Sequence, residues 1–99
     1  MSLPSRGEIW LVDLDFQTRA ALVVSADPFN HGPAELVLAV PVRSGARGIP
    51  SDVPLDGESF AACERVMSLS RARLRRRVGR ASPDALRTIS RYLRVLLEI

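Results

Sequence analysis

Arginine dominates the chemistry open to this chain. Between Arg71 and Arg80 (RARLRRRVGR) six of ten residues are Arg. A guanidinium stays protonated, grips phosphate through paired N–H donors and stacks on flat rings. That density, with Arg73 and Arg75 at its centre, suits RNA phosphates. A charge run also serves as a plain solvated face, and both readings stand. A second group lies near the N-terminus, where Phe16, Gln17, Thr18 and Arg19 follow one another. An aromatic, an amide, a hydroxyl and a guanidinium are an odd set for a turn that Gly or Asn would serve better. Phe16 is the best candidate to stack on an unpaired base. Trp10, Phe60 and Tyr92 sit in apolar patterns and read as core. On residue type alone, Arg19 fits an exposed turn as well as a phosphate contact.

Other chemistries are excluded more firmly. The chain has one His, His31, and one Cys, Cys63. No cluster has metal-ligand spacing. Cys63 follows Phe-Ala-Ala and reads as a small core residue. His31 lies in a turn and reads as a solvated loop residue. There is no phosphate-cradling glycine loop of either common kind. No cofactor is expected.

Ninety-nine residues predict a single domain over residues 1–99, with 46% hydrophobic residues for its core. Residues 1–64 hold four Arg and nine Asp or Glu, a net of −5. Residues 65–99 hold ten Arg and two acids, a net of +8. This asymmetry points to an anionic partner for the second half. Met1–Arg6 has no apolar leader and no run is long enough to span a membrane. With one thiol and no possible internal disulfide, a reducing cytoplasm is expected.

The candidates need elements to hold them. Ile9–Leu14 and Ala20–Val24 are apolar runs of strand length, joined by the polar link Asp15–Arg19, and they predict a β-hairpin. The strands are expected at Glu8–Leu14 and Arg19–Ser25. The first does not strictly alternate, so both its faces should be covered. Met1–Ser5 reads as a loose end. Asp27–Pro33 reads as a loop with a helical turn at Pro28–Asn30. A third strand, Glu35–Val42, has Pro41 near its end, which implies an edge or an exit. Arg43–Ser51 lacks an apolar anchor except Ile49 and reads as mobile. Asp52–Leu55 is a short strand, Asp56–Ser59 a turn, and Phe60–Leu69 contains another strand. Arg71–Leu74 reads as a helical turn and Arg75–Gly79 as a short strand or extended link. Pro83–Leu97 predicts a helix, with Ser82 as N-cap, Pro83 at the first position and Asp84 in the first turn. Leu86, Ile89, Leu93, Leu96 and Leu97 form its apolar stripe. The class is mainly β with a C-terminal helix.

Several segments also resemble a known family. RGEIWLVDLD from Arg6, a link ending in Arg19, LVVSADPFN from Leu22, VPVRS at Val40–Ser44, DVPLD at Asp52–Asp56, LSRARL at Leu69–Leu74 and the Val78–Leu97 stretch are similar to the MazF/PemK toxins of toxin–antitoxin pairs. The resemblance implies a small SH3-like barrel (CcdB/PemK/MazF-like) and a homodimer. It implies a cytoplasmic toxin that cleaves single-stranded RNA without metal, silenced by an antitoxin with an acidic, partly disordered tail. Catalytic roles are implied for Arg19 and for the Arg43–Ser44 position. Substrate contacts are expected at Phe16, Gln17, Thr18, Glu64, Arg65, Arg73 and Arg75. Glu64 stands where the family often has an acid, and it also reads as a strand-end carboxylate paired with Arg65. Three departures matter: Ala20 replaces a usual Pro, the hairpin link is short, and Arg43 replaces a usual Thr. Arg43 taking over electrostatic work, Ser44 supplying the hydroxyl, and an impaired site are the open readings. The alternative function is a non-catalytic or degenerate toxin acting by binding, as a gyrase poison or an antitoxin sink.

Overall fold

The computed structural model describes residues 3–99. The loose end read over Met1–Ser5 falls outside them at Met1 and Ser2. Its remainder is tied down: Pro4 is buried, and His31 Nε2 lies 2.7 Å from the Pro4 carbonyl oxygen. His31 is therefore a tether for the N-terminal end.

The strands are β1 (Glu8–Leu14), β2 (Gln17–Val23), β3 (Leu36–Ser44), β4 (Asp52–Pro54), β5 (Ser59–Ala62), β6 (Met67–Ser70) and β7 (Leu74–Arg80). A one-turn helix, α1 (Asp27–Asn30), follows β2, and a 3₁₀ turn at Arg71–Arg73 joins β6 to β7. The C-terminal helix is α2 (Pro83–Leu97). The strand order is β4-β5-β3-β2-β1-β7, with β6 also on β3, and every pairing is antiparallel. This is the mainly β fold with a C-terminal helix that the sequence implies.

Both faces of the central strands are covered. In β2 and just beyond, Leu22 and Val24 join a cluster with Val40, Val53, Cys63, Ala85 and Ile89, beneath α2. Ala21 and Val23 join Trp10, Val12, Val37, Ala39 and Leu69 on the other side. Consecutive residues thus feed opposite cores, which is why no hydrophobic alternation shows in the sequence. Helix α2 starts as its caps dictate, with Ser82 Oγ accepting from Ala85 N at 3.1 Å. Gly7 takes φ 92°, a backbone conformation that residues with a Cβ rarely adopt, which is why glycine stands there. The helix stripe runs off the core in its last turn: Ala85 and Ile89 are buried, while Leu96 and Leu97 are exposed.

Glu8 sits on the buried face of β1, beside Trp10. Burial alone raises its pKa. Hydrogen bonds from the Ser5 N–H, Arg77 and Trp10 outweigh that and hold it below the usual carboxylate range. Arg80 adds a contact at 3.4 Å. Two arginines of β7 are therefore fastened to the core by one buried carboxylate. The ladder from β1 to β7 skips Val78 and Arg75, two bulges on an outer strand. Such bulges hinder the pairing of another chain on that edge.

The hairpin differs from the expected one. Strand β2 begins at Gln17, and the register pairs Leu14 with Gln17, Asp13 with Thr18 and Val12 with Arg19. The turn is only Asp15–Phe16, with Asp15 in the left-handed region at φ 53°. Gln17, Thr18 and Arg19 are strand residues, not link residues. The expected strand in Phe60–Leu69 is two strands, broken by a turn at Cys63–Glu64 in which the Arg65 N–H donates to the Ala62 carbonyl (3.1 Å).

Candidate functional site

The site arises where two neighbouring strands part. Strands β2 and β3 pair at Val23–Ala39, Leu22–Val40 and Ala21–Pro41. Beyond Pro41, strand β3 turns to β5 instead, pairing Val42 with Ala61, Arg43 with Phe60 and Ser44 with Ser59. Carrying the β2–β3 register two residues further sets Arg19 opposite Arg43. The pairing is open there, and a cleft of about 970 Å³ fills the gap.

Thr18, Arg19 and Ala20 line one side of this cleft, and Pro41 through Ser44 line another. Arg65, Val66 and Met67, from the β5–β6 connection, close it, with Leu14 beside them. Five of the residues singled out in the sequence meet here: Thr18, Arg19, Arg43, Ser44 and Arg65. The lining holds three guanidiniums, two side-chain hydroxyls and no carboxylate. Among the described residues neither Arg19 nor Arg43 forms an ion pair. Exposed guanidiniums grouped in one cleft can serve as donors to an anion such as phosphate.

The other candidates lie elsewhere. Phe16 projects from the hairpin turn and is fully exposed. Gln17 closes the hairpin opposite Leu14 and does not line the cleft. Arg73 donates to the Asp13 carbonyl at 3.1 Å. Arg75 pairs with the Asp13 carboxylate at 3.2 Å. Both therefore belong to the β1–β7 side. Glu64 is next to the cleft-lining Arg65, 3.6 Å from its Nε, but is closer to Arg47 at 2.9 Å. That contact with Arg47 brings the Glu64 pKa down to about 2, which makes it a weak base near neutral pH.

Sequence reading missed the apolar part of the wall, Leu14, Val66 and Met67. It also missed Arg47, which bonds both Asp52 and Glu64. The loop read as mobile thus carries a polar anchor. Pro41, read as an edge or exit, is still paired with Ala21, and β3 continues past it to Ser44.

A family model described as PemK-like, MazF-like toxin of type II toxin–antitoxin system matches residues 5–97. The chain belongs to this family. Solved structures agree with the fold of this MazF-like toxin. It is 27% identical to MazF from Deinococcus radiodurans, over 100% of both chains, with a TM-score of 0.85. Against a MazE–MazF structure from the same organism the TM-score is 0.89, at 27% identity over 100% of both chains. An endoribonuclease from a Mycobacterial species, in complex with its cognate antitoxin, shares the fold at 23% identity and TM-score 0.88, covering 97% of this chain and 96% of that one. Among the described residues no helix is long and apolar enough to cross a membrane.

Proposed function

We propose that this toxin cleaves single-stranded RNA in the cleft between β2 and β3, without metal. What supports the reading is that Arg19 and Arg43 line one cleft whose lining holds no carboxylate, together with Ser44 and Thr18. The ribose 2′-oxygen forms a bond to phosphorus and the bond from phosphorus to the 5′-oxygen breaks. The products carry a 2′,3′-cyclic phosphate and a 5′-hydroxyl. Negative charge grows on the non-bridging oxygens during the transfer. Arg19 and Arg43 stabilise it, an effect worth about 3–4 kcal/mol for one well-placed donor. The guanidiniums stay protonated and cannot take the 2′ proton. Water in the open cleft accepts it, and the leaving 5′-oxygen gains one.

The partners follow from the same surfaces. A cognate antitoxin with an acidic segment is the natural silencer of a cationic cleft, and a second copy of the chain covers the exposed end of α2. The cytoplasm is the compartment where RNA is met. A binding-only toxin remains the second reading, favoured by a guanidinium at residue 43 where the resemblance implies a hydroxyl.

The experiment is cleavage of a long unstructured RNA by purified wild-type and Arg19→Ala protein. Discrete cuts by the wild type that Arg19→Ala reduces at least a hundredfold are expected. Unchanged cutting by the variant removes Arg19 from the mechanism. Growth arrest with intact RNA would favour the binding-only reading.

A further inference from the structure

One guanidinium joins the two segments that wall the cleft. Residues 45–51 run from the end of β3 at the cleft-lining Ser44 to the start of β4 at Asp52. Midway, the Arg47 backbone N–H donates to Asp52 Oδ2 at 2.8 Å, and Nε donates to both Asp52 oxygens at 3.1 Å each. The same side chain reaches Glu64 at 2.9 Å through Nη1 and at 3.0 Å through Nη2. Glu64 directly precedes Arg65, on the other wall.

The two carboxylates have rival partners. Arg65 Nε already stands 3.6 Å from Glu64. Arg43 is near enough to Asp52 to contribute to the lowering of its pKa. Forked, charge-assisted bonds outcompete single contacts at longer range, so Arg47 wins both carboxylates. Without it, the same charges would draw Arg43 and Arg65 out of the cleft.

We propose that Arg47 is a positioning residue: by occupying Asp52 and Glu64 it leaves Arg43 and Arg65 turned to the cleft for the phosphates of the substrate. The functional consequence rests on the RNA reading above, while the displacement of the two arginines does not.

The test uses Arg47→Ala, a labelled RNA made uncleavable by 2′-O-methyl riboses, and the intact protein. Binding is measured by anisotropy across a salt series. Arg47→Ala should weaken binding and flatten the slope of log K against log salt by about 0.7 for each arginine withdrawn. Adding Glu64→Gln in the same chain removes the rival that captures Arg65 and should restore part of that slope. A mere loop anchor predicts no such rescue, because the second change only deletes more bonds. Without RNA, Nε–H exchange of Arg43 and Arg65 followed by NMR should slow in Arg47→Ala. If Arg47→Ala fails to fold, Arg47→Lys is read the same way, with an intermediate slope expected. An unchanged slope in a folded variant overturns the proposal, as does loss without rescue or unaltered exchange at both arginines. If the wild type binds no RNA, the RNA reading fails, and the exchange measurement alone decides the role of Arg47.

Discussion

Replacing Ile89 by Ala should be among the most damaging single changes in α2, while Leu97→Ala should cost almost nothing. Both belong to the apolar stripe that the sequence shows. Ile89 is 1% exposed and sits among Leu22, Val40, Val53 and Cys63. Leu97 is 58% exposed. Ile→Ala deletes three carbons, a transfer loss of about 2.4 kcal/mol at about 0.8 kcal/mol each. The cavity brings the total to about 3–4 kcal/mol, inside the usual range for such truncations. Domains of this size hold only about 5–15 kcal/mol. The melting temperature should therefore fall by about 12–30 °C, at about 4–8 °C per kcal/mol. Leu97→Ala should stay within about 0.5 kcal/mol in the dissociated single chain, where the position is exposed. Urea and thermal unfolding at low protein concentration read both. A loss under about 1 kcal/mol at Ile89, or equal losses at both positions, would refute the packing described for the helix.

Acid should destabilise the fold in a defined window. Glu8, Asp27, Asp52 and Glu64 all have pKa values lowered in the folded chain. Each favours folding above its unfolded value, near 4.5 for Glu and 3.8 for Asp, and that gain is lost as protons bind. Stability measured by urea unfolding should hold down to about pH 5 and then fall towards pH 2, where Glu64 titrates. A flat profile across that range would contradict the pairing of these carboxylates. Cys63 should resist alkylation at pH 8 in the folded protein, since burial pushes its thiol up to about 11. It should react at once in urea, and fast labelling of native protein would contradict its place in the core.

Much of the frame was legible because local signals and tertiary needs agreed. Strand β1 spans Glu8–Leu14 and helix α2 spans Pro83–Leu97 as expected. The helix bounds follow from Ser82 and Pro83, whose capping chemistry is local. The start of β2 was not legible. Gln17, Thr18 and Arg19 are polar, and nothing local shows that their backbones pair with β1. Asp15 adopts the left-handed turn that glycine usually takes, so the two-residue turn carried no glycine flag. The division of Phe60–Leu69 was hidden for a similar reason: the turn at Cys63–Glu64 carries neither glycine nor proline.

The candidate site was legible in its residue types and not in its construction. Arg19, Arg43, Ser44 and Arg65 could each be singled out. That they meet depends on β3 changing partners at Pro41. The Arg47 anchor was invisible because its carboxylates are 5 and 17 residues away in sequence. The arginines of β7 looked like one binding strip. In the structure Arg75, Arg77 and Arg80 are each paired with Asp13 or Glu8, so charge density along the chain overstated the cations free to bind.

The most direct measurement incubates the purified protein with a long unstructured RNA in EDTA and reads both the cut sites and the chemistry of the new ends. Discrete cuts leaving 2′,3′-cyclic phosphate and 5′-hydroxyl ends are the result expected of an arginine-lined cleft acting without metal. Uncut RNA, from folded protein that still arrests growth, would contradict it and leave a toxin that acts by binding.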